Sequence, residues 1–292
     1  MTSTLLRVST LLAAVGILLC GHGLQLTLLP IRADALGWTT NAIGATASTY
    51  FLGFVVGCMT VPGLVAGVGH IRSFMVFAAL ATLALLGAGL FDDFVAWLVL
   101  RFVTGFAFSG LYMVIESWLS EASTKESRGS VLAVYTTISL LGMVVGQAFL
   151  GLAPATGLEL FMVGAALLCL AIVPIGLTRM HAPLPVPRTR FNPRVLLRAS
   201  RVAVVCAFMG GLVTGSVWAV GPLVGRAFGL EGSELGLLMS AAIVGGAAAQ
   251  VPVGRLSDLT DRRIVIAGLL FAGALVAGFG WLFAAAGPVY LY

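Results

Sequence analysis

The sequence predicts an all-α polytopic membrane protein with about nine transmembrane helices. Of its 292 residues, 60% are hydrophobic and only 9% are charged, and the mean hydropathy is +1.08. Soluble domains carry roughly 25% charged residues, so this composition excludes an ordinary soluble globule. Nine apolar runs are long enough to cross ~30 Å of hydrocarbon as helices.

The nine runs give the predicted elements in chain order. The first follows Arg7 and resembles a signal peptide, but Leu18 and Leu19 precede Cys20 where a cleavage site needs small residues. Apolar sequence continues to Pro30, so we interpret this run as a retained helix. The predicted helices span residues 8–30, 43–68, 74–91, 94–116, 131–153, 158–177, 202–224, 235–253 and 264–286.

The distribution of basic residues predicts the orientation. With the N-terminus in the cytoplasm, thirteen basic residues fall in the inner connections and two in the outer ones. Cytoplasmic loops carry an excess of Lys and Arg, so this count favours nine spans with a cytoplasmic N-terminus. The two outer residues are Arg32 and Arg226; the inner ones are Arg7, Arg72, Lys125, Arg128, Arg179, Arg188, Arg190, Arg194, Arg198, Arg201, Arg255, Arg262 and Arg263.

One connection is long enough to divide the chain. Residues 181–198 contain four prolines and four arginines, a composition that discourages a packed helix and suits the headgroups of the inner leaflet. We therefore predict a six-helix bundle over residues 1–178, a cytoplasmic linker over 179–201, and three helices of a second bundle over 202–292. The last residues lie where the next outer loop should begin.

An ungapped shift of 192 residues superimposes the start of the second half on the first. Both copies contain an apolar helix with a proline, a loop with glycine, and a glycine-rich helix. Internal repeats of multi-helix halves are typical of secondary transporters, whose solute sites lie between the halves. The matched pairs are Pro30 with Pro222, Gly37 with Gly229, Gly44 with Gly236 and Gly53 with Gly245.

Several other kinds of site have no support. The four cysteines stand singly in apolar runs without metal-ligand spacing, so no metal or other cofactor is expected. A nucleic-acid role is not expected either, because the basic residues follow the membrane topology. No phosphate-binding loop motif and no HExxH sequence occurs, which argues against ATP-driven transport and against a zinc protease.

Arg101 is the only basic residue well inside an apolar run. At ~100° per residue, it shares a narrow face of the fourth helix with Gly105, Ser109, Tyr112 and Glu116. A charge in hydrocarbon costs at least ~2.5 kcal/mol, so this face should look toward protein or water. A structural arginine held by backbone carbonyls is the alternative.

Arg101 and other polar residues are predicted to lie at a similar depth in the membrane. At ~1.5 Å per residue, Arg101, Gln25 on the first helix and Gln147 on the fifth could share one level of a central cavity. A guanidinium there would suit a carboxylate or phosphate, and His22 is a titratable neighbour with a possible proton role. The remaining predicted cavity residues are Tyr50, Tyr112, Thr136 and Trp218.

Several motifs resemble those of the major facilitator superfamily. Residues 254–263 (GRLSDLTDRR) are similar to its G-x3-D-[RK]-x-G-x-[RK]-[RK] loop, with departures at Leu259 and Asp261 and with the basic pair one position earlier. Arg101 and Gly105 match its R-x3-G pattern, and the glycine-rich fifth helix is similar to another family motif without the usual proline. The segment GLYMVIESWLSEAS at residues 110–123 resembles the bacterial YcaD-like branch of the superfamily.

The resemblance implies twelve helices in two bundles, three more than are predicted here, so we expect a fragment or an open reading frame that ended early. It also implies secondary active transport of a small solute by alternating access in a bacterial inner membrane, and a cytoplasmic latch in which Asp258 would meet the start of the fifth helix. Independently of the resemblance, Glu116 lies at the inner end of the fourth helix near Glu121 and Arg128, which predicts a second gate pair. The other predicted gating residues are Gly254, Arg262 and Arg263.

The sequence leaves other functions open. A non-transporting or inactive truncated membrane protein is the first alternative. An intramembrane serine enzyme is the second, because Ser109 and Gly110 resemble part of a rhomboid-type motif, although Ala107 replaces its first glycine. The expected partners are lipid, a small solute that is anionic or amphipathic, and a coupling ion such as H⁺.

Overall fold

The protein is built of long helices, as seen in a computed structural model. The structure describes residues 2–124, 126–178, 198 and 200–285, with the backbone alone at 2–7, 258, 262, 281 and 283–285. Within these ranges, nine helices of 18 to 29 residues are long and apolar enough to cross a membrane. The predicted all-α architecture is therefore confirmed.

The helices begin and end close to the predicted bounds. The 3₁₀ turn Phe149–Gly151 extends α5, and the short helix Ile172–Gly176 continues α6. Several helices run past their apolar cores, because polar residues outside the hydrocarbon still favour helix. The bounds are α1 Thr2–Ala35, α2 Thr40–Val68, α3 His70–Leu90, α4 Phe94–Ala122, α5 Arg128–Ala148, α6 Glu159–Leu170, α7 Arg201–Ala227, α8 Gly232–Leu259 and α9 Arg262–Ala285.

Side-chain caps fix the starts of α2, α4 and α7. Asp93 Oδ2 accepts a hydrogen bond from the Ala96 backbone N at 2.8 Å, and the N-cap residues Thr39 and Ser200 accept in the same way from the residue three positions on. Each cap satisfies a backbone N–H that has no partner inside its own helix. The caps therefore set where the fourth helix starts and, with it, the depth of Arg101.

The chain forms two compact units, Met1–Ile243 and Val244–Tyr292. In the first unit, α1 packs on α5 and α6, α2 on α4, and α3 on both α4 and α6, while α7 lies against α1 and α2. The second unit contains the rest of α8 and α9. Most of the predicted linker lies outside the described residues, so the three-part division of the chain remains a prediction.

Charged residues tie several helix connections together at one end of the first unit. Arg32 Nη2 lies 2.9 Å from Asp92 Oδ1, which joins the end of α1 to the α3–α4 connection. Arg226 Nη1 lies 2.7 Å from Asp34 Oδ2, which joins the ends of α7 and α1. We call this end the Arg32 end.

The 192-residue repeat is visible in the backbone where α1 and α7 end. Gly37 and Gly229 both adopt the left-handed region, with φ of 77° and 79°, and each follows a helix that contains a proline. Both turns also form the same set of three backbone hydrogen bonds. In the first copy they are Leu36 N to Arg32 O, Gly37 N to Asp34 O and Trp38 N to Ala33 O; in the second they are Phe228 N to Val224 O, Gly229 N to Arg226 O and Leu230 N to Gly225 O.

Candidate functional site

The α2–α4 crossing brings Tyr50 and Arg101 together. A methyl group built on Gly105 would lie 1.9 Å from Tyr50 O, and one on Gly53 would lie 2.0 Å from Phe102 O. Only glycine allows the two backbones to approach this closely, as small residues do at helix interfaces in membranes. Tyr50 is thereby held beside the turn of α4 that carries Arg101.

Arg101 is buried without an anionic partner. Its side chain is 8% exposed, and its Cζ lies 4.7 Å from the centroid of the Tyr50 ring. Nη1 has no hydrogen-bond partner. Within the described chain, the ion pairs are Arg32–Asp92 and Arg226–Asp34, so no carboxylate neutralises Arg101. The cation–π contact provides part of the compensation that a buried guanidinium needs.

A cavity of about 200 Å³ opens beside this guanidinium. It lies between α1, α2, α4 and α7, with a contribution from α5. The side chains around it are largely aromatic and aliphatic, and Arg101 is the only charged one among them. The lining residues are His22, Leu26, Leu29, Pro30, Ile43, Thr46, Ala47, Tyr50, Phe51, Arg101, Tyr112, Met143, Thr214, Gly215, Trp218 and Ala219.

His22 is positioned by an aromatic ring and by an amide. Its ring centroid lies 3.8 Å from that of Phe108, and Gln25 Nε2 lies 3.0 Å from His22 Nδ1. An amide nitrogen donates, so Nδ1 accepts, and the neutral ring then carries its hydrogen on Nε2. The side chain is therefore held at the cavity wall in a defined orientation.

The predicted cavity residues separate into two groups. Arg101, Tyr50, Tyr112 and Trp218 all line the cavity, on α4, α2 and α7. Three other predicted members, Gln25, Gln147 and Thr136, do not line it.

Gln25 and Gln147 form hydrogen bonds away from the cavity instead. Gln147 is fully buried and donates from Nε2 to Gly23 O at 2.8 Å, which fastens α5 to α1. Gln25, also fully buried, bonds His22 on its own helix. The Gln147 side chain lies in the α1–α5 interface, where glycines of both helices lie against the facing backbone. A methyl group on Gly146 would lie 2.1 Å from Cys20 O, and one on Gly23 would lie 2.5 Å from Met143 O.

Thr136 lies with the predicted gate residues of α4 and α5. It lines a second pocket of about 350 Å³ together with Glu116, Ser120, Arg128, Leu132 and Tyr135. Arg128 Nη2 donates to Ser120 Oγ, and no ion pair joins Arg128 to Glu116 within the described chain. The guanidinium is thus engaged by a hydroxyl at the end of α4, while Glu116 shares the pocket without pairing.

The remaining predicted gating residues lie in the second unit. Gly254 is in α8, and Arg263 is at the start of α9, where its backbone N donates to Asp261 Oδ1 at 2.9 Å. The side chains of Asp258 and Arg262 lie outside the described residues. A latch formed by Asp258 therefore remains a prediction.

Sequence reasoning missed the ion pairs of the Arg32 end. It treated Arg32 and Arg226 as topological charges, whereas each reaches an aspartate on another connection. A signal for one pair was present in the sequence. Asp34 and Arg226 are 192 residues apart, which is the offset of the repeat, and they carry opposite charges.

The chain resembles known transporters in sequence. The family model "Major Facilitator Superfamily" matches residues 11–292. An uncharacterized MFS-type transporter YcaD of Escherichia fergusonii is 29% identical over 242 residues, covering 82% of this chain and 63% of the relative. A YcaD of Salmonella arizonae is 27% identical over 267 residues, covering 88% and 70%. The chain thus spans about 63% of the length of the first of these relatives.

Solved structures show the same fold at low identity. A mutant of the nucleoside transporter NupG has a TM-score of 0.72 at 14% identity, covering 85% of this chain and 67% of its own. A bacterial homologue of the lysosomal transporter Spinster, inward-facing and unoccupied, has a TM-score of 0.72 at 13% identity, covering 90% and 63%. A D-xylose-proton symporter has a TM-score of 0.58 at 16% identity, covering 85% and 68%.

Proposed function

The chain belongs to the Major Facilitator Superfamily, and we propose that it carries out secondary active transport of a small solute by alternating access. The nine apolar helices found in the described ranges make it a multi-pass membrane protein. The relatives are bacterial, so we place it in a bacterial inner membrane. The excess of basic residues in the inner connections supports a cytoplasmic N-terminus, which puts the Arg32 end on the outer side.

The uncompensated guanidinium of Arg101 carries this proposal. A charge buried among apolar helices is costly, and such charges mark solute and ion pathways when they face a cavity. Arg101 has a free Nη1 and lies at the wall of a cavity between α1, α2, α4 and α7. A scaffold role alone would leave that nitrogen hydrogen-bonded to backbone carbonyls, as Gln147 is bonded to Gly23 O.

The contacts of α7 support alternating access. Its buried residues Gly215, Ala219, Pro222 and Gly225 all lie in the half toward the Arg32 end, and the preceding half has none. The Asp34–Arg226 pair joins α7 to α1 at that same end. We interpret this arrangement as a state that is closed at the Arg32 end, with the ion pair as one of the contacts that a rocking motion must break.

The transport proposal is tested with the full-length protein in proteoliposomes. Wild-type protein should accumulate or exchange a solute, and an imposed pH gradient should raise the rate if H⁺ is the coupling ion. Arg101→Ala should lower transport at least tenfold while the protein remains monodisperse and keeps its melting temperature. Normal transport by a folded Arg101→Ala variant would remove Arg101 from the site.

A charge swap tests the closed state. Ala47 lines the cavity, and it is replaced by cysteine in a background where the native cysteines are serine. Labelling of this cysteine by an impermeant maleimide added from the outside is then followed. Asp34→Arg should raise the labelling rate several-fold because like charges repel. The double variant Asp34→Arg/Arg226→Asp should restore the wild-type rate.

The matched control is Asp92→Asn, which breaks the Arg32–Asp92 pair between connections of the first six helices. It should leave labelling unchanged. Equal labelling in all four proteins, or no recovery in the double variant, would contradict a role for the Asp34–Arg226 pair in closure.

A further inference from the structure

The charge count of the cavity is unbalanced. Of the sixteen side chains that line it, Arg101 alone carries a permanent charge, and no Asp or Glu is among them. The contact with Tyr50 covers one side of the guanidinium, and Nη1 remains without an acceptor. An isolated buried charge is costly unless it is paired, so a ligand with one negative charge would bring the site to neutrality.

The cavity offers few polar groups to a hydroxyl-rich solute. No Asn, Gln, Asp or Glu lines it, so the groups that can both donate and accept are His22 and the hydroxyls of two tyrosines and two threonines. Thr46 also uses its hydroxyl hydrogen internally, donating to Ile43 O at 2.8 Å. Gln25 and Gln147 do not line the cavity; Gln25 bonds His22, and Gln147 bonds Gly23 O.

Apolar surface dominates the rest of the wall. The rings of Tyr50, Phe51 and Trp218 face the cavity from α2 and α7, and aliphatic residues of α1 and α2 complete it. Pockets of this kind bind apolar bodies and use a few polar groups to orient them. A planar or branched hydrocarbon group would bury its surface here, whereas a bare inorganic anion would leave these rings without a ligand contact.

The volume limits the size of the ligand. About 200 Å³ is below the ~300–1,000 Å³ of pockets that enclose drug-sized ligands. That space holds a small acid with one ring, and a drug-sized molecule would need the cavity to widen.

From these observations we propose that the solute is a small organic monoanion, with its carboxylate on Arg101 and its apolar part against Tyr50 and Trp218. The inference rests on the proposed transport function and names the class of its solute. It differs from the solutes for which two of the structural neighbours are named, a nucleoside and D-xylose, both of which are rich in hydroxyls.

The test measures binding to the purified full-length protein in detergent. The probes are propanoate, benzoate and indole-3-carboxylate, each compared with its own amide, and phthalate serves as a dianion. At least one carboxylate should bind tenfold or more tightly than its amide, with benzoate ahead of both propanoate and phthalate. Arg101→Gln should reduce that ratio to about one, whereas Arg72→Gln, which removes an exposed positive charge on α3, should preserve it.

Three results would overturn the inference. The first is that wild-type protein binds every carboxylate about as tightly as its amide. The second is tighter binding of phthalate than of benzoate, and the third is a preference for carboxylate over amide that persists in Arg101→Gln. If Arg101→Gln does not fold, Arg101→Lys takes its place; it keeps the charge without the planar fork and should weaken carboxylates while keeping their order.

Counterflow in proteoliposomes separates this inference from the proposed function. Benzoate, uridine and D-xylose are tested in parallel. Exchange of uridine or D-xylose without carboxylate preference would leave transport standing and refute the monoanion. Carboxylate binding that depends on Arg101, with no exchange of any solute, would leave the anion site standing and refute transport.

Discussion

The α1–α5 and α2–α4 crossings use the same means to bring two helices together. In each, both helices present a glycine to a backbone carbonyl of the other. In the α1–α5 crossing these glycines are Gly23 and Gly146, and in the α2–α4 crossing they are Gly53 and Gly105. The four hypothetical methyl groups would lie between 1.9 and 2.5 Å from the facing oxygens, so neither crossing has room for a side chain.

The two crossings differ in what they do with their polar residues. In the α1–α5 crossing, Gln147 Nε2 donates to Gly23 O and its Oε1 has no hydrogen-bond partner. The α2–α4 crossing leaves Arg101 with a free nitrogen at the cavity wall. Close packing of glycines therefore holds the two helices together in the α1–α5 crossing. In the α2–α4 crossing it also positions a group that is available to a ligand.

The largest effect is expected from filling either crossing. Gly105→Val and Gly146→Val should each lower the free energy of unfolding by about 3 kcal/mol, because the added side chain forces the backbones apart. Gly44→Val is the control, since nothing lies within 4 Å of a methyl group there. Reversible unfolding in detergent measures the difference. Equal stability of all three variants would show that the crossings tolerate separation.

A smaller effect is expected from Gln147→Leu. The change leaves Gly23 O without its side-chain donor, at a cost of about 1–2 kcal/mol. Because Gln147 does not line the cavity, the affinity for benzoate relative to benzamide should stay within twofold of wild type. A selective loss of carboxylate affinity would instead place Gln147 in the site, as the depth argument predicted.

The smallest change in stability is expected from Arg101→Met. Removing an unpaired buried charge while keeping much of the volume should raise the free energy of unfolding by about 1 kcal/mol, since hydrophobic replacements of buried charges are often stabilising. Binding of the preferred carboxylate should be lost at the same time. The same unfolding assay and the binding panel measure the two effects. A large destabilisation without ligand would support the structural interpretation of Arg101.

The sequence was sufficient for the helices and for one face of the site. Length and hydropathy located all nine spans, and the helical period placed Arg101 and Tyr112 on a common face that the structure directs toward the cavity. The glycines on α2 and α4 were visible as small residues. Their partners across the crossing were not visible, because a helical period describes the faces of one helix and does not show which helix packs against them.

Gln25 and Gln147 show what a single sequence could not supply. Counting residues at ~1.5 Å each gives depth along a helix and not its rotation about its axis. Rotation is set by the faces that pack, and on α1 and α5 the packed face includes Gly23 and Gly146. Gln147 therefore lies within that interface, and Gln25 bonds His22 on its own helix.

The Asp34–Arg226 pair has a consequence for the origin of a repeated chain. The two residues occupy equivalent positions in turns with the same hydrogen bonds. In a protein made of two identical copies, both positions would hold the same residue, and the turns would repel each other as two aspartates or two arginines. The attraction at this end is therefore a property that only diverged copies can have, and an ancestor with perfect internal symmetry would have had to close by other contacts.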